Sequence, residues 1–119
     1  MAGAAGGVAV IPWYVTLFRG DKFELALLEI APVALRYGAT SWEVQRARDD
    51  TYKFLQSADF PDKLSFERYW LSEEFIAWRG DYSSWYQVPV VYGFWDRFGH
   101  GSLDGGQSLG RGEQESTVA

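Results

Sequence analysis

Near the end of the chain the run Val88 to Trp95, VPVVYGFW, is apolar on both parities of a strand. Val88, Val90, Tyr92 and Phe94 fall on one side, and Val91 and Trp95 on the other. Such a strand is buried on both faces. A chain of 119 residues has room for one domain, so two layers must cover this strand, and the helices of so small a chain can supply only one of them.

The upstream elements identify that layer. Val8 to Arg19, VAVIPWYVTLFR, is rich in the β-branched and aromatic residues that suit a pleated surface, with Pro12 expected at a sheet edge or bulge. Asp21 is placed as an N-cap with Glu24 three residues on, as in a capping box, and Phe23, Leu27, Ile30 and Ala34 recur at helical spacing. The pattern predicts a helix over Asp21 to Tyr37, kinked at Pro32 and ended by a left-handed Gly38. Thr40 to Ala47 alternates as a strand, Thr51 to Phe60 as another, and Arg48-Asp49-Asp50 joins them as a hairpin. From Lys63 the residues Leu64, Phe66, Tyr69, Trp70, Phe75 and Ile76 describe one further helix, ending around Trp78 to Gly80. The order β-α-β-β-α-β is the α+β, ferredoxin-like arrangement, in which both helices cover one face of a four-stranded antiparallel sheet. The apolar character of the last strand then calls for a second subunit on the bare face, and so for a homodimer.

Composition narrows the chemistry. The net charge is −5, with 11 basic against 16 acidic residues, so there is no basic footprint for nucleic acid or an anionic membrane. No apolar run approaches the roughly 20 residues that span a bilayer, and Met1 to Val10 lacks the cationic start of an export signal. The absence of Cys excludes thiolate metal sites and thiol nucleophiles and fits a reducing compartment, which makes the cytoplasm the expected location. With His100 as the single His and no Asn, a metal site or a Ser-His-Asp machine has almost no raw material. Residues 1–98 are expected to form the domain. Residues 99–119 contain six Gly and no Phe, Trp or Tyr, and are expected to be a flexible tail.

Several segments together form a familiar pattern: Gln45-Arg46-Ala47-Arg48-Asp49-Asp50, then Tyr52-Lys53-Phe54, then Ser65 to Phe75 (SFERYWLSEEF), and finally Val88-Pro89-Val90. The chain resembles the antibiotic-biosynthesis-monooxygenase-like proteins of the dimeric α+β barrel superfamily, over about Val8 to Phe98. The resemblance implies a homodimer with a pocket between sheet and helices in each subunit. Many members carry His where Tyr69 and Glu74 stand here, so the chain departs from those that ligate haem at this helix. Similar cofactor-free members use Asn, Trp and Arg to hold a phenol and share charge with its anion. Of these three, Trp and Arg are available.

On that footing Arg46 and Trp70 are the candidate catalytic residues, with Trp42, Tyr69 and Trp78 as substrate-binding residues; no metal and no cofactor are expected. Arg46 shares strand parity with Trp42 and Val44 and could stabilise a phenolate or enolate from that face. The alternative is an exposed strand residue or a salt bridge. The aromatic residues Trp13, Trp42, Tyr69, Trp70, Trp78, Trp85 and Tyr86 suit a pocket for a flat molecule, and suit equally a core or an interface. Two functions follow: a cofactor-independent monooxygenase-like enzyme acting on a small aromatic or polyketide-like substrate, or a non-catalytic ligand-binding or interaction module of the same fold. An Arg46 without a protein carboxylate beside it would favour the first.

Overall fold

The computed structural model describes residues 6–103 and 106–109. Strand β1 (Gly7–Tyr14) runs antiparallel to β3 (Lys53–Phe60), which runs antiparallel to β2 (Ser41–Arg46). On its other side β1 pairs with β4 (Gly93–Trp95), giving the order β2-β3-β1-β4. Helices α1 (Gly20–Ile30), α2 (Lys63–Trp70) and α3 (Glu73–Asp81) accompany this sheet, and a 3-10 segment, Ala31–Tyr37, follows α1. The alternation on the strands explains why one face is covered. Ala9, Ile11 and Trp13 of β1 and Phe54, Gln56, Ala58 and Phe60 of β3 are all buried in the core with Phe23, Leu27, Phe66, Tyr69, Phe75 and Trp78 from the helices. Their neighbours of opposite parity lie on the outer face. This is the ferredoxin-like α+β architecture that the element order implies.

Several boundaries differ from the expectation, each for a local reason. The first helix changes to 3-10 form where Pro32 removes a donor, and Gly38 caps it at φ +102. Asp21 does not cap α1: the helix begins one residue earlier, at Gly20, so Arg19 takes the N-cap position with no side-chain bond, and the Asp21 and Glu24 carboxylates turn to Arg46. The second helix is two helices. At the break Ser72 Oγ accepts from Phe75 N–H at 3.2 Å and donates to the Tyr69 carbonyl at 2.7 Å, so one hydroxyl ends α2 and caps α3. The Ser-Glu-Glu sequence at 72–74, a cap followed by acidic first-turn residues, is the signal for it.

The last strand is much shorter than VPVVYGFW. Only Gly93–Trp95 pairs; Pro89 has no N–H to donate to a ladder, and Val88 and Val91 stand 74% and 71% exposed. Both faces of the remaining strand are apolar. Phe94 stacks on Phe66 at 6.1 Å on the helix side, while Trp95 is 62% exposed on the outer side. Gly7 permits this pairing, since a Cβ there would stand 2.6 Å from the Phe94 ring and 2.8 Å from the Trp95 carbonyl. Pro12 lies in an internal strand, not at an edge. It is tolerated because β4 stops opposite Val10, leaving Pro12 a strand partner on one side only. In the segment expected to be flexible, β5 (Gly99–Ser102) pairs with β6 (Gly106–Leu109), and residues 104, 105 and 110–119 lie outside the described residues.

Candidate functional site

Arg46 ends β2 on the face it shares with Trp42 and Val44, opposite buried Phe54. Its guanidinium reaches over the start of α1. Nη1 donates to Asp21 at 2.9 Å and Glu24 at 3.0 Å, Nε donates to the Thr51 carbonyl at 2.8 Å, and the group lies 5.0 Å from the Phe54 ring centroid. The bond to Asp21, with that to Glu24, holds the guanidinium more firmly charged than usual. Gly20 gives it room, because a Cβ there would collide with Nη2. Arg46 also lines three open grooves, one of about 630 Å³ with Phe18, Lys22 and Tyr52, one of about 300 Å³ with Pro12, Tyr14 and Leu55, and one of about 290 Å³ with Leu27, Leu28 and Val44. Two carboxylates already answer its charge, so nothing at this guanidinium calls for an anionic ligand.

Three of the other singled-out residues face inward. Tyr69 is buried; its hydroxyl donates to the Ile30 carbonyl at 2.6 Å and accepts from Gln56 Nε2 at 2.9 Å. Burial pushes that hydroxyl well above the usual phenol range, which makes it a fixed donor and not a proton shuttle. Trp78 is buried with its indole N–H on the Ala26 carbonyl at 2.8 Å. Trp42 is half-buried against the core, opposite Ala58. Gln56 is a residue the sequence reading missed. Buried in the middle of β3, it links Trp13 to Tyr69, and a lone Gln on the apolar parity of a strand is the signal for it.

Trp70 differs from these. Its half-buried indole is in ring contact with Tyr92 at 4.7 Å, Phe75 at 4.9 Å and Trp13 at 6.3 Å, and Tyr92 is 42% exposed. The guanidinium of Arg79, one turn along α3 from Phe75, lies 3.8 Å from the Trp70 centroid and 4.8 Å from that of Phe75. The structure does not bring Arg46 and Trp70 together. Arg46 sits at the β2 edge, whereas Trp70 packs on Trp13 of β1, two strand spacings or about 10 Å away, and against Tyr92, which leads into β4. Arg79 was also missed; the available signal is an Arg on a helix with Phe75, Ile76, Tyr82 and Ser83 at its i±3 and i±4 positions and no acid among them.

The chain has the fold of the antibiotic biosynthesis monooxygenase-like proteins, shown by its likeness to solved structures. A candidate antibiotic biosynthesis monooxygenase from Nitrosomonas europaea is 13% identical with a TM-score of 0.71, covering 81% of this chain and 93% of its own. SnoaB, a cofactor-independent oxygenase from Streptomyces nogalater, is 18% identical with a TM-score of 0.67, covering 77% and 92%. A candidate antibiotic biosynthesis monooxygenase from Bordetella bronchiseptica is 15% identical with a TM-score of 0.68, covering 78% and 97%. No family model and no curated protein matches the sequence. Among the described residues no helix is long and apolar enough to cross a membrane.

Proposed function

We propose that this protein binds a small, flat aromatic molecule on the flank of the helix layer marked by Trp70, as a cofactor-independent monooxygenase-like enzyme working as a cytoplasmic homodimer. The observation that carries the reading is the half-buried Trp70 indole beside the partly exposed Tyr92 ring, an aromatic surface that a planar ligand can extend by stacking. Buried Tyr69 and Trp78, by contrast, have their polar atoms committed to protein partners. The likeness to a cofactor-independent oxygenase supports the choice of reaction. Trp70 would hold the substrate, and Tyr69 and Trp78 would set the rigid wall behind it. The dimer is supported by the outer face of the sheet, where Tyr14, Leu55 and Trp95 stand exposed.

A second reading, a non-catalytic ligand-binding module, is favoured by one specific feature: Asp21 and Glu24 neutralise Arg46, which removes the electrostatic element placed on β2. One experiment separates the two. Oxygen uptake is measured with a panel of anthrones and quinols, alongside binding followed by tryptophan fluorescence, for the native chain and Trp70→Phe. Uptake that falls at least tenfold in Trp70→Phe supports the enzyme. Binding without uptake supports the module, and neither binding nor uptake overturns both.

A further inference from the structure

Arg79 Nη1 is, among the described residues, the only buried side-chain nitrogen or oxygen with no hydrogen-bond partner. Among the same residues no carboxylate pairs with the Arg79 guanidinium, although Arg36, Arg46 and Arg97 all have acidic partners. Its surroundings are aromatic, with Trp70 and Phe75 under the guanidinium plane and Tyr69, Tyr86 and Tyr92 close enough to affect its charge. Burial lowers its pKa without neutralising it, since a guanidinium stays protonated across the physiological range. Cation–π contact offsets part of the desolvation but supplies no acceptor for the buried N–H. The unmet requirement is therefore a hydrogen-bond acceptor for a charged donor, and the ring that the guanidinium overlies is that of Trp70.

We propose that Arg79 and Trp70 form one subsite that selects an aromatic carboxylate, the ring lying on the Trp70–Tyr92 surface and a carboxylate oxygen accepting from Arg79 Nη1. This rests on the aromatic-binding reading above and adds the charge of the ligand to it. A carboxylate is preferred to a neutral carbonyl because hydrogen bonds between two charged groups are about twice as strong as neutral ones, and because the planar guanidinium fork matches a carboxylate in shape. Arg79 acts in this reading as a specificity-determining residue. Tyr92, in contact with the same indole and partly exposed, is the side chain that must shift to admit the ring.

The test compares 2-naphthoate with naphthalene-2-carboxamide, nearly identical in shape and different in charge, by fluorescence titration and calorimetry. The native chain is expected to bind naphthoate at least tenfold more tightly than the amide. Arg79→Gln should hold both ligands at the amide's affinity, Arg79→Lys should retain part of the preference, and Trp70→Phe should lose most of the fluorescence response. Equal binding of the two ligands by the native chain overturns the inference and leaves the aromatic site standing. A preference that persists in a folded Arg79→Gln overturns it in the same way. If neither ligand binds the native chain, the aromatic site fails and the inference falls with it. Should Arg79→Gln not fold, the native comparison and Arg79→Lys still decide.

Discussion

The side-chain carbonyl of Gln56 accepts a hydrogen bond from the indole N–H of Trp13 at 3.0 Å, diagonally across the β1–β3 pairing on the covered face of the sheet. Indole only donates, so the carbonyl end of Gln56 must face Trp13 and its amide end is left to meet the Tyr69 hydroxyl. Gln56→Leu would strand the Trp13 donor in the core. The expected loss is about 1–3 kcal/mol, read from the urea midpoint, with the secondary structure unchanged by circular dichroism. A variant as stable as the native chain would mean that Trp13 finds another acceptor.

Arg46→Leu is expected to lower stability without affecting ligand binding, because its carboxylate partners are its own α1 residues. Asp21 is 96% exposed and contributes little; the greater part comes from Nε on the Thr51 carbonyl and from packing over Phe54. The expected cost is about 1–2 kcal/mol. An unchanged naphthoate affinity, measured together with that loss, would separate Arg46 from the binding surface at Trp70.

Glu74 couples the start of α3 to the 3-10 segment. It accepts from the Tyr37 hydroxyl at 2.6 Å and pairs with Arg36 at 3.2 Å. The Tyr37 bond, then the backbone at the helix start, hold its carboxyl below the usual range. A depressed native pKa means that this contribution is complete above the unfolded value of about 4.3 and disappears as pH falls through the lower native one. Glu74→Gln should therefore be less stable than the native chain at pH 7, and the gap should narrow as the pH is taken below 4. A constant gap across that window would show that the carboxylate's charge plays no part.

The outer face of the sheet carries exposed Tyr14, Leu55 and Trp95 around the half-buried Val8, Val10 and Pro12. Sedimentation equilibrium is expected to return twice the chain mass at micromolar concentration. Leu55→Glu, placing a charge in the middle of that face, should shift the population to monomer. A native chain that sediments as a monomer contradicts the dimer.

The elements and their buried faces were legible in the sequence because the side-chain period is a local property of each element. The even positions of 54–60, the odd positions of 9–13 and the Gly38 cap all follow from it. The helix break at Ser72 was legible in principle, through its cap and acidic first turn. The length of the last strand was not: apolar residues at 88–92 suit a strand, but the missing donor of Pro89 and the end of pairing opposite Val10 restrict the ladder to Gly93–Trp95.

The sequence by itself determined the order of the first three strands and the first helix, the covered face of the sheet and the residue types available for chemistry. Only the tertiary structure decided which charges meet. Arg46 could be placed on its face by counting, yet its partners Asp21 and Glu24 lie 25 and 22 residues away, and only the packing of α1 over β2 brings them within 3.0 Å. Arg79 is the converse case, because the same packing surrounds its guanidinium with Trp70, Phe75 and three tyrosines and, among the described residues, brings no carboxylate to pair with it. Periodicity reports the direction of a side chain from its own backbone. Whether a charge is answered depends on side chains supplied by distant segments, and that is settled only when the layers close.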